Sequence, residues 1–279
     1  MLKQGLKVIY SRLPRVDLRS CYTEAPPAAS RVTNRVYQTW ISPSLPFLLA
    51  RGIRRFRRLN ADFSFSFYDN QRMAEYMETA YADHPILPIF REVRMPAEKA
   101  DIWRYCILYR EGGVYCDIKS ALTVPLRTLL PAEASELISF ERNTWPGYLE
   151  VGDQSSPAVF LPAPPEDVRS RLQHPDHVVL NWCIAFEKGH PILEEVLSLI
   201  VRHASFYRGR TYADPHVAGV HFTGPLALTQ AVWAWMHKTG GTPRQCGIDF
   251  SGHGVWRLFG MDYRGSPRHS TGSRNVLLD

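Results

Sequence analysis

The sequence predicts a layered α/β protein built around one sheet. Segments with the two-residue alternation of strands take turns with segments of three- and four-residue helical spacing, and elements in that order pack as a sheet between helices. The stretch Ala100-Asp-Ile-Trp-Arg-Tyr-Cys-Ile-Leu-Tyr-Arg-Glu-Gly-Gly-Val-Tyr-Cys-Asp-Ile-Lys119 supplies a second observation. It reads as a helix, a two-glycine turn, a strand and a carboxylate at the strand's carboxyl end, which is where open α/β sheets hold ligands.

Residues 1–30 mix charge with Pro-Pro-Ala-Ala and show weak periodicity. They are expected to form a loosely structured N-terminal arm, leaving 31–279 as a single domain. Arg35–Trp40 is the expected first strand. Pro43 is expected to start a helix that runs to Leu59, since proline suits the first helical turn. Asp62–Asp69 alternates Phe with Ser, a strand pattern. Asn70 is placed to cap a helix reaching Tyr81. In the central stretch, Ile102, Tyr105, Cys106 and Tyr109 give a helix one apolar face. Gly112-Gly113 ends it, because glycine accepts the left-handed conformation, and Val114–Ile118 follows as a strand closed by Asp117. Further strands are expected at Glu136–Glu141, Ala158–Leu161 and Val178–Phe186, and helices at His190–His203 and Pro225–His237. The tail from Asp249 is rich in Gly, Ser and Arg and reads as loop. There are no internal repeats.

A chain of 279 residues, with 45% hydrophobic and 22% charged residues, is of ordinary composition for a globular protein with a sizeable core. Its net charge of +6 suits an anionic ligand, an anionic membrane surface or nucleic acid without separating them. The five cysteines, Cys21, Cys106, Cys116, Cys183 and Cys246, form no CxxC pair and several sit in apolar runs, which points to reduced, buried thiols. No run reaches the roughly 18 apolar residues of a membrane span. Met1–Tyr10 is basic and lacks the apolar segment of a signal peptide. The expected location is the cytoplasm or, peripherally, the cytosolic face of a membrane, with the Golgi expected only if an N-terminal anchor precedes this sequence.

No GxSxG, P-loop or GxGxxG is present, which weighs against esterase, NTPase and dinucleotide oxidoreductase. The ten histidines include no HExxH, and His174 and His177 read as a polar loop. Arg51, Arg54, Arg55 and Arg58 recur at helical spacing, apart from Ile53, Phe56 and Leu59. This cationic stripe is either a solvated face or a docking surface for anionic lipid head groups. No aromatic platform or nucleic-acid motif accompanies it, so no nucleic-acid partner is expected. Asp101 and Arg104 lie one helical turn apart. On spacing alone they read as a surface ion pair, and Asp117 as an ordinary strand-end residue.

Six ordered blocks sharpen this. They are Val36-Tyr-Gln-Thr-Trp40; Asn60 to Asp69; Ala97 to Tyr105 with Gly112 to Asp117; Asn181 with Gly189-His-Pro191; Thr223-Gly-Pro-Leu-Ala-Leu-Thr229; and His269-Ser-Thr-Gly-Ser273. Together they resemble glycosyltransferase family 32, the proteins with a sugar-binding region containing a DXD motif, related to capsular polysaccharide transferases and mannosyltransferases. The resemblance covers most of 31–279. It implies a GT-A type fold, a Rossmann-like nucleotide-sugar-binding sheet flanked by helices. It also implies transfer of a sugar, with retained anomeric configuration, from a nucleoside-diphosphate-sugar donor (UDP- or GDP-sugar) to a glycan or lipid-linked glycan acceptor.

By the same resemblance, Trp40 stacks on the base, Asp101 binds ribose or sugar hydroxyls, and Arg104 binds the sugar or phosphate end. Tyr115 packs near the nucleotide, Asp117 is the first Asp of DXD, and Asn181 orients sugar or acceptor. His269 and Ser273 sit on a C-terminal loop over the diphosphate, with His269 joining Asp117 as a metal ligand. The catalytic candidates are therefore Asp117, Arg104 and Asn181. The donor-binding set is Trp40, Asp101, Arg104, Tyr115, Asp117, Lys119 and Ser273. Trp40 and Tyr115 read equally as core residues, and Asn181 as a structural amide.

Lys119 stands where the family has its second Asp, and Arg274 where it has Trp. A lysine ammonium donates hydrogen bonds and accepts none, so a divalent cation (Mn²⁺ or Mg²⁺) loses a ligand here. Lys119 either supplies the positive charge itself, or points away while another acid holds the metal, or is a solvated cation. A further alternative is a noncatalytic nucleotide-sugar- or glycan-binding relative.

Overall fold

In the computed structural model, which describes residues 14–17, 24, 29–144, 163–212, 215–255 and 278, strands and helices alternate as the periodicity requires. The order is β1 (Arg15–Asp17), β2 (Arg35–Thr39), β3 (Ser44–Pro46), α1 (Phe47–Leu59), β4 (Ser64–Tyr68), α2 (Asn70–Ala80), α3 (Ile86–Glu92), α4 (Pro96–Glu111), β5 (Gly113–Cys116), β6 (Ala121–Leu122), α5 (Leu126–Leu129), β7 (Glu136–Thr144), α6 (Glu166–Arg169), β8 (His177–Val179), β9 (Cys183–Phe186), α7 (Pro191–Tyr207), α8 (Pro215–Phe222), α9 (Pro225–Thr239), β10 (Gln245–Ile248) and β11 (Gly254–Val255).

The central sheet runs β10-β7-β9-β5-β2-β4, with β8 paired to β7. β4, β2 and β5 are parallel, β9 is antiparallel to both β5 and β7, and β10 is parallel to β7. The chain leaves β2 for β4 on one side and later returns to β5 on the other. The carboxyl ends of β2 and β5 therefore flank a topological switch point, the crevice where open α/β sheets bind ligands. Trp40 follows the first of these ends and Asp117 the second. This is the predicted α/β class, a mixed sheet flanked by helices, and the arrangement expected of a GT-A sheet.

Strand alternation divides the core. Tyr37, Tyr115, Ile184 and Phe186 face a large apolar cluster with residues of α2–α4 and α7–α9. Val36, Val114, Cys116, Cys183 and Ala185 face the opposite side, with Phe56 of α1, Leu126 and Phe250.

Helix α4 departs from the expected single apolar face. Glu98 and every residue from Asp101 to Leu108 are buried, because the helix lies between the sheet and α7. Asp101 and Arg104 are thus a buried pair rather than a surface one. The turn after α4 needs both of its glycines. Gly112 and Gly113 have φ of 67° and 121°, and a Cβ on Gly113 would stand 2.7 Å from the Arg35 carbonyl oxygen, a conformation and an approach that only glycine tolerates.

Several boundaries differ from expectation. Residues 15–17, inside the expected loose arm, pair antiparallel with Ser44–Pro46, and the Arg15 side chain donates to Ser44 Oγ at 2.7 Å. That pairing extends residues 44–46, so α1 starts at Phe47 and not at Pro43. Asp69, not Asn70, caps α2, its Oδ1 accepting from the Arg72 N–H at 2.9 Å. The expected strand Val178–Phe186 is two strands, β8 and β9, with Asn181 in the break. Helices α3, α5, α6 and α8 and strands β1, β3, β6, β10 and β11 are not expected from the sequence, and β11 pairs with β6. The expected strand Ala158–Leu161, and His269, Ser273 and Arg274, lie outside the described residues. Among the described residues no helix is long and apolar enough to cross a membrane.

Candidate active site

Three elements bring the central side chains together. Helix α4 carries Asp101 and Arg104 on one face, β5 ends one residue before Asp117, and the break between β8 and β9 holds Asn181. Arg104 is the hub. Its guanidinium donates to the Asn181 carbonyl at 2.7 Å, pairs with Asp101 Oδ1 at 3.1 Å and with Asp117 Oδ1 at 3.6 Å, and lies 4.2 Å from the centre of the Tyr115 ring. Tyr115 donates its hydroxyl to Asp117 Oδ1 at 2.6 Å. Asn181 Nδ2 donates to Asp101 Oδ1 at 3.1 Å and the Thr223 hydroxyl donates to Asp101 Oδ2 at 3.3 Å.

The structure thus joins five of the predicted residues, Asp101, Arg104, Tyr115, Asp117 and Asn181, into one network. Their exposure is graded. The Arg104 side chain is 7% exposed, Asp101 12% and Asp117 20%, so Asp117 is the member of this trio that a ligand meets first.

Burial sets the charges. It pushes the Asp101 carboxyl up to about 7, with Asp117 adding to the rise and Arg104, Thr223 and Asn181 pulling back. Burial works against the Arg104 charge, yet Tyr115, Asp101 and Asp117 outweigh it and hold the guanidinium protonated. Burial raises the Tyr115 phenol far above its ordinary range, so it stays a neutral donor to Asp117.

Three contributors carried no signal that assigned them a role. Thr223 fixes Asp101 from the start of the α8–α9 corner. Tyr105, counted only as an apolar position, donates to the Gly224 carbonyl at 3.3 Å. Glu98 is buried and packs where a Cβ on Gly219 would stand 2.1 Å from its Oε1. Glu98, Asp101 and Tyr105 share one face of α4, and that spacing was the available clue.

Trp40 follows the end of β2, and Lys119 lies two residues beyond Asp117. Trp40 is half-buried and packs against the cluster of Leu45, Ala50, Ile53, Phe67 and Ile118. Lys119 is half-buried in the turn closed by the Ser120 N–H to Asp117 carbonyl bond of 2.8 Å. The described residues do not fit a divalent cation well. No group of three or more His, Cys, Asp or Glu among them could hold one, and Asp117 Oδ1 already accepts from Tyr115 and faces Arg104.

A family profile described as "Glycosyltransferase sugar-binding region containing DXD motif" matches residues 46–136, a span that includes Asp101, Arg104 and Asp117. The chain is 25% identical over 201 residues to inositol phosphoceramide mannosyltransferase 3 of Schizosaccharomyces pombe, covering 72% of this chain and 44% of that one. It is 24% identical over 184 residues to the initiation-specific alpha-1,6-mannosyltransferase of Saccharomyces cerevisiae, covering 60% and 38%. The chain thus spans less than half the length of these two curated relatives. Among solved structures, the PaToxG glycosyltransferase aligns with a TM-score of 0.47 at 17% identity, over 84% of this chain and 78% of that one.

Proposed function

We propose that this glycosyltransferase family 32-like chain transfers a sugar from a UDP- or GDP-sugar to a hydroxyl of a glycan or lipid-linked glycan, with retention at the anomeric carbon. The observation that carries the reading is the Arg104-centred network at the carboxyl end of β5, with Asp117 at its open side. In the transfer, the anomeric C–O bond to the diphosphate breaks and the acceptor oxygen bonds the same face of that carbon. The acceptor proton passes to the departing diphosphate oxygen. The sugar becomes oxocarbenium-like while charge grows on the leaving group. Asp117 and Asp101 accept sugar or ribose hydroxyl hydrogens, and Asn181 keeps Asp101 in place. Arg104 holds the two carboxylates in one geometry and adds positive charge near the diphosphate. Trp40 stacks on the base. The names of the curated relatives make mannose the first sugar to test and an inositol phosphoceramide-like glycolipid one acceptor class.

Lys119 takes over part of the charge that a divalent cation supplies in a two-carboxylate site. Donor turnover with and without EDTA checks this. Native turnover is expected to persist in EDTA, Lys119→Ala to weaken diphosphate binding, and Lys119→Asp to make turnover depend on Mn²⁺ or Mg²⁺, because it restores a hard oxygen ligand. Complete loss of native activity in EDTA beside a silent Lys119→Ala would defeat this assignment. Lys119 also supports a second reading, a binding-only relative. It predicts nucleotide binding without turnover of any donor.

Peripheral contact with anionic membrane belongs to the same proposal. Arg51, Arg54, Arg55 and Arg58 are exposed on α1, whose inner residues Ala50 and Ile53 pack with Ile118 of the Asp117–Ser120 turn. Phe47, 42% exposed at the start of the helix, adds an apolar contact. With about 1 kcal/mol per basic residue at such a surface, the chain is expected to co-sediment with phosphatidylserine vesicles at low salt and to release at high salt. Equal binding to neutral vesicles would contradict the electrostatic account.

A further inference from the structure

We propose that Cys116 and Cys183 are an oxidation site, forming a reversible disulfide with peroxide as oxidant inside the strand pair that carries Asp117. The two residues stand directly opposite each other in the antiparallel β5–β9 pair. The next pair, Asp117 and Trp182, is hydrogen-bonded, with the Asp117 N–H donating to the Trp182 carbonyl at 2.8 Å. Hydrogen-bonded and non-hydrogen-bonded pairs alternate along such a ladder, so Cys116 and Cys183 are a non-hydrogen-bonded pair, with Cα atoms about 4.5 Å apart. A disulfide takes Cα separations of roughly 4.4–6.8 Å. Both side chains point to the same face of the sheet and pack in one cluster, where both thiols are buried.

The other described thiols are excluded by position. Cys106 is on α4, across the sheet. Cys246 is on β10, with β7 between it and β9. Two strand spacings of about 4.8 Å each exceed the roughly 7 Å that a disulfide spans between Cα atoms.

The chemistry balances with one hydrogen peroxide. One sulfur attacks a peroxide oxygen, the O–O bond breaks, and a sulfenic acid forms as water leaves. The second sulfur displaces the hydroxyl of the sulfenic acid, a second water leaves, and the S–S bond closes. Two thiols lose two electrons and two protons in all. Cross-strand Cβ atoms of such pairs lie about 4.5–5.5 Å apart, against roughly 3.5–4.5 Å in a disulfide. Closure must draw the strands together, and a strained bond of this kind is readily reduced.

The site is coupled to Asp117. In the reduced protein Cys116 Sγ lies 3.8 Å from the carbonyl oxygens of Asp117 and Ser120, tying both ends of the turn that holds Lys119. Disulfide formation removes this S–H donor and pulls the sulfur toward β9. The turn then loses its tie, and the placement of Asp117 against Arg104 changes.

The test is non-reducing peptide mapping of the full chain after limited hydrogen peroxide, with calorimetric binding of UDP and GDP measured before and after. The expected result is a Cys116–Cys183 link that dithiothreitol removes. Cys183→Ser is expected to abolish the link and Cys246→Ser to preserve it. Affinity for whichever nucleotide the reduced protein binds should fall on the order of tenfold on oxidation, because a site loosened by about an ångström binds poorly. Affinity should recover on reduction and remain insensitive to peroxide in Cys183→Ser. Absence of the link, a Cys183–Cys246 link in its place, or a link without change in affinity would overturn the proposal. If the reduced protein binds neither nucleotide, the function proposed above fails while the mapped link still decides the oxidation site.

Discussion

Replacing Asp117 by alanine is expected to lower kcat/KM for sugar transfer on the order of 10³-fold or more and to leave the fold in place. The side chain is the most open of the three charged residues at the hub, 20% exposed, and contributes little to the core. Its backbone N–H to Trp182 is unaffected by the change. Stability should fall by about 1–3 kcal/mol, because the buried Tyr115 hydroxyl loses its acceptor. Arg104 retains Asp101 and the Asn181 carbonyl. Steady-state kinetics and a thermal melt on the same preparation separate the two effects. Undiminished turnover would remove Asp117 from the mechanism.

The largest effect on the fold is expected at Arg104. Arg104→Met removes the charge that compensates buried Asp101, and breaking a buried pair in this way costs about 3–5 kcal/mol. The loss should depend on pH. In the native protein the Asp101 carboxyl titrates at about 7, and without Arg104 it titrates higher. Below pH 6 Asp101 is protonated in both proteins, so its contribution to the difference is small. As pH rises through 7, native Asp101 ionises against Arg104 while the variant must either keep its proton or bury a bare charge. The gap therefore widens from pH 6 to pH 8. Urea denaturation at both values checks this, and a gap that narrows with rising pH contradicts it. Arg104→Lys should rescue little, since an ammonium lacks the planar fork that reaches Asn181, Asp101 and Asp117 together.

Much of this arrangement was readable from local pattern. The Phe-Ser alternation of β4, the helix–glycine–glycine–strand order of α4 and β5, and the place of Asp117 all follow from periodicity and glycine chemistry. Burial of Asp101 and Arg104 did not follow. Their spacing is that of any surface ion pair, and only the packing of α4 between the sheet and α7 distinguishes the two cases. The cap of α2 moved by one residue because Asp69 and Asn70 are both good caps and tertiary position chose between them. The break at Leu180–Trp182 was hidden inside an apolar run, although it is what turns the Asn181 carbonyl toward Arg104. Thr223 reached Asp101 through the α8–α9 corner, a long-range contact that no local spacing encodes.

The most direct test of the account is release of nucleoside diphosphate by the purified native chain from a panel of UDP- and GDP-sugars, GDP-mannose among them, with a glycan or glycolipid acceptor and with water alone. The expected result is release from at least one donor, faster with acceptor, and a product that keeps the anomeric configuration of that donor by NMR. Binding of UDP or GDP without release from any donor would contradict it and leave the chain a nucleotide-sugar-binding protein.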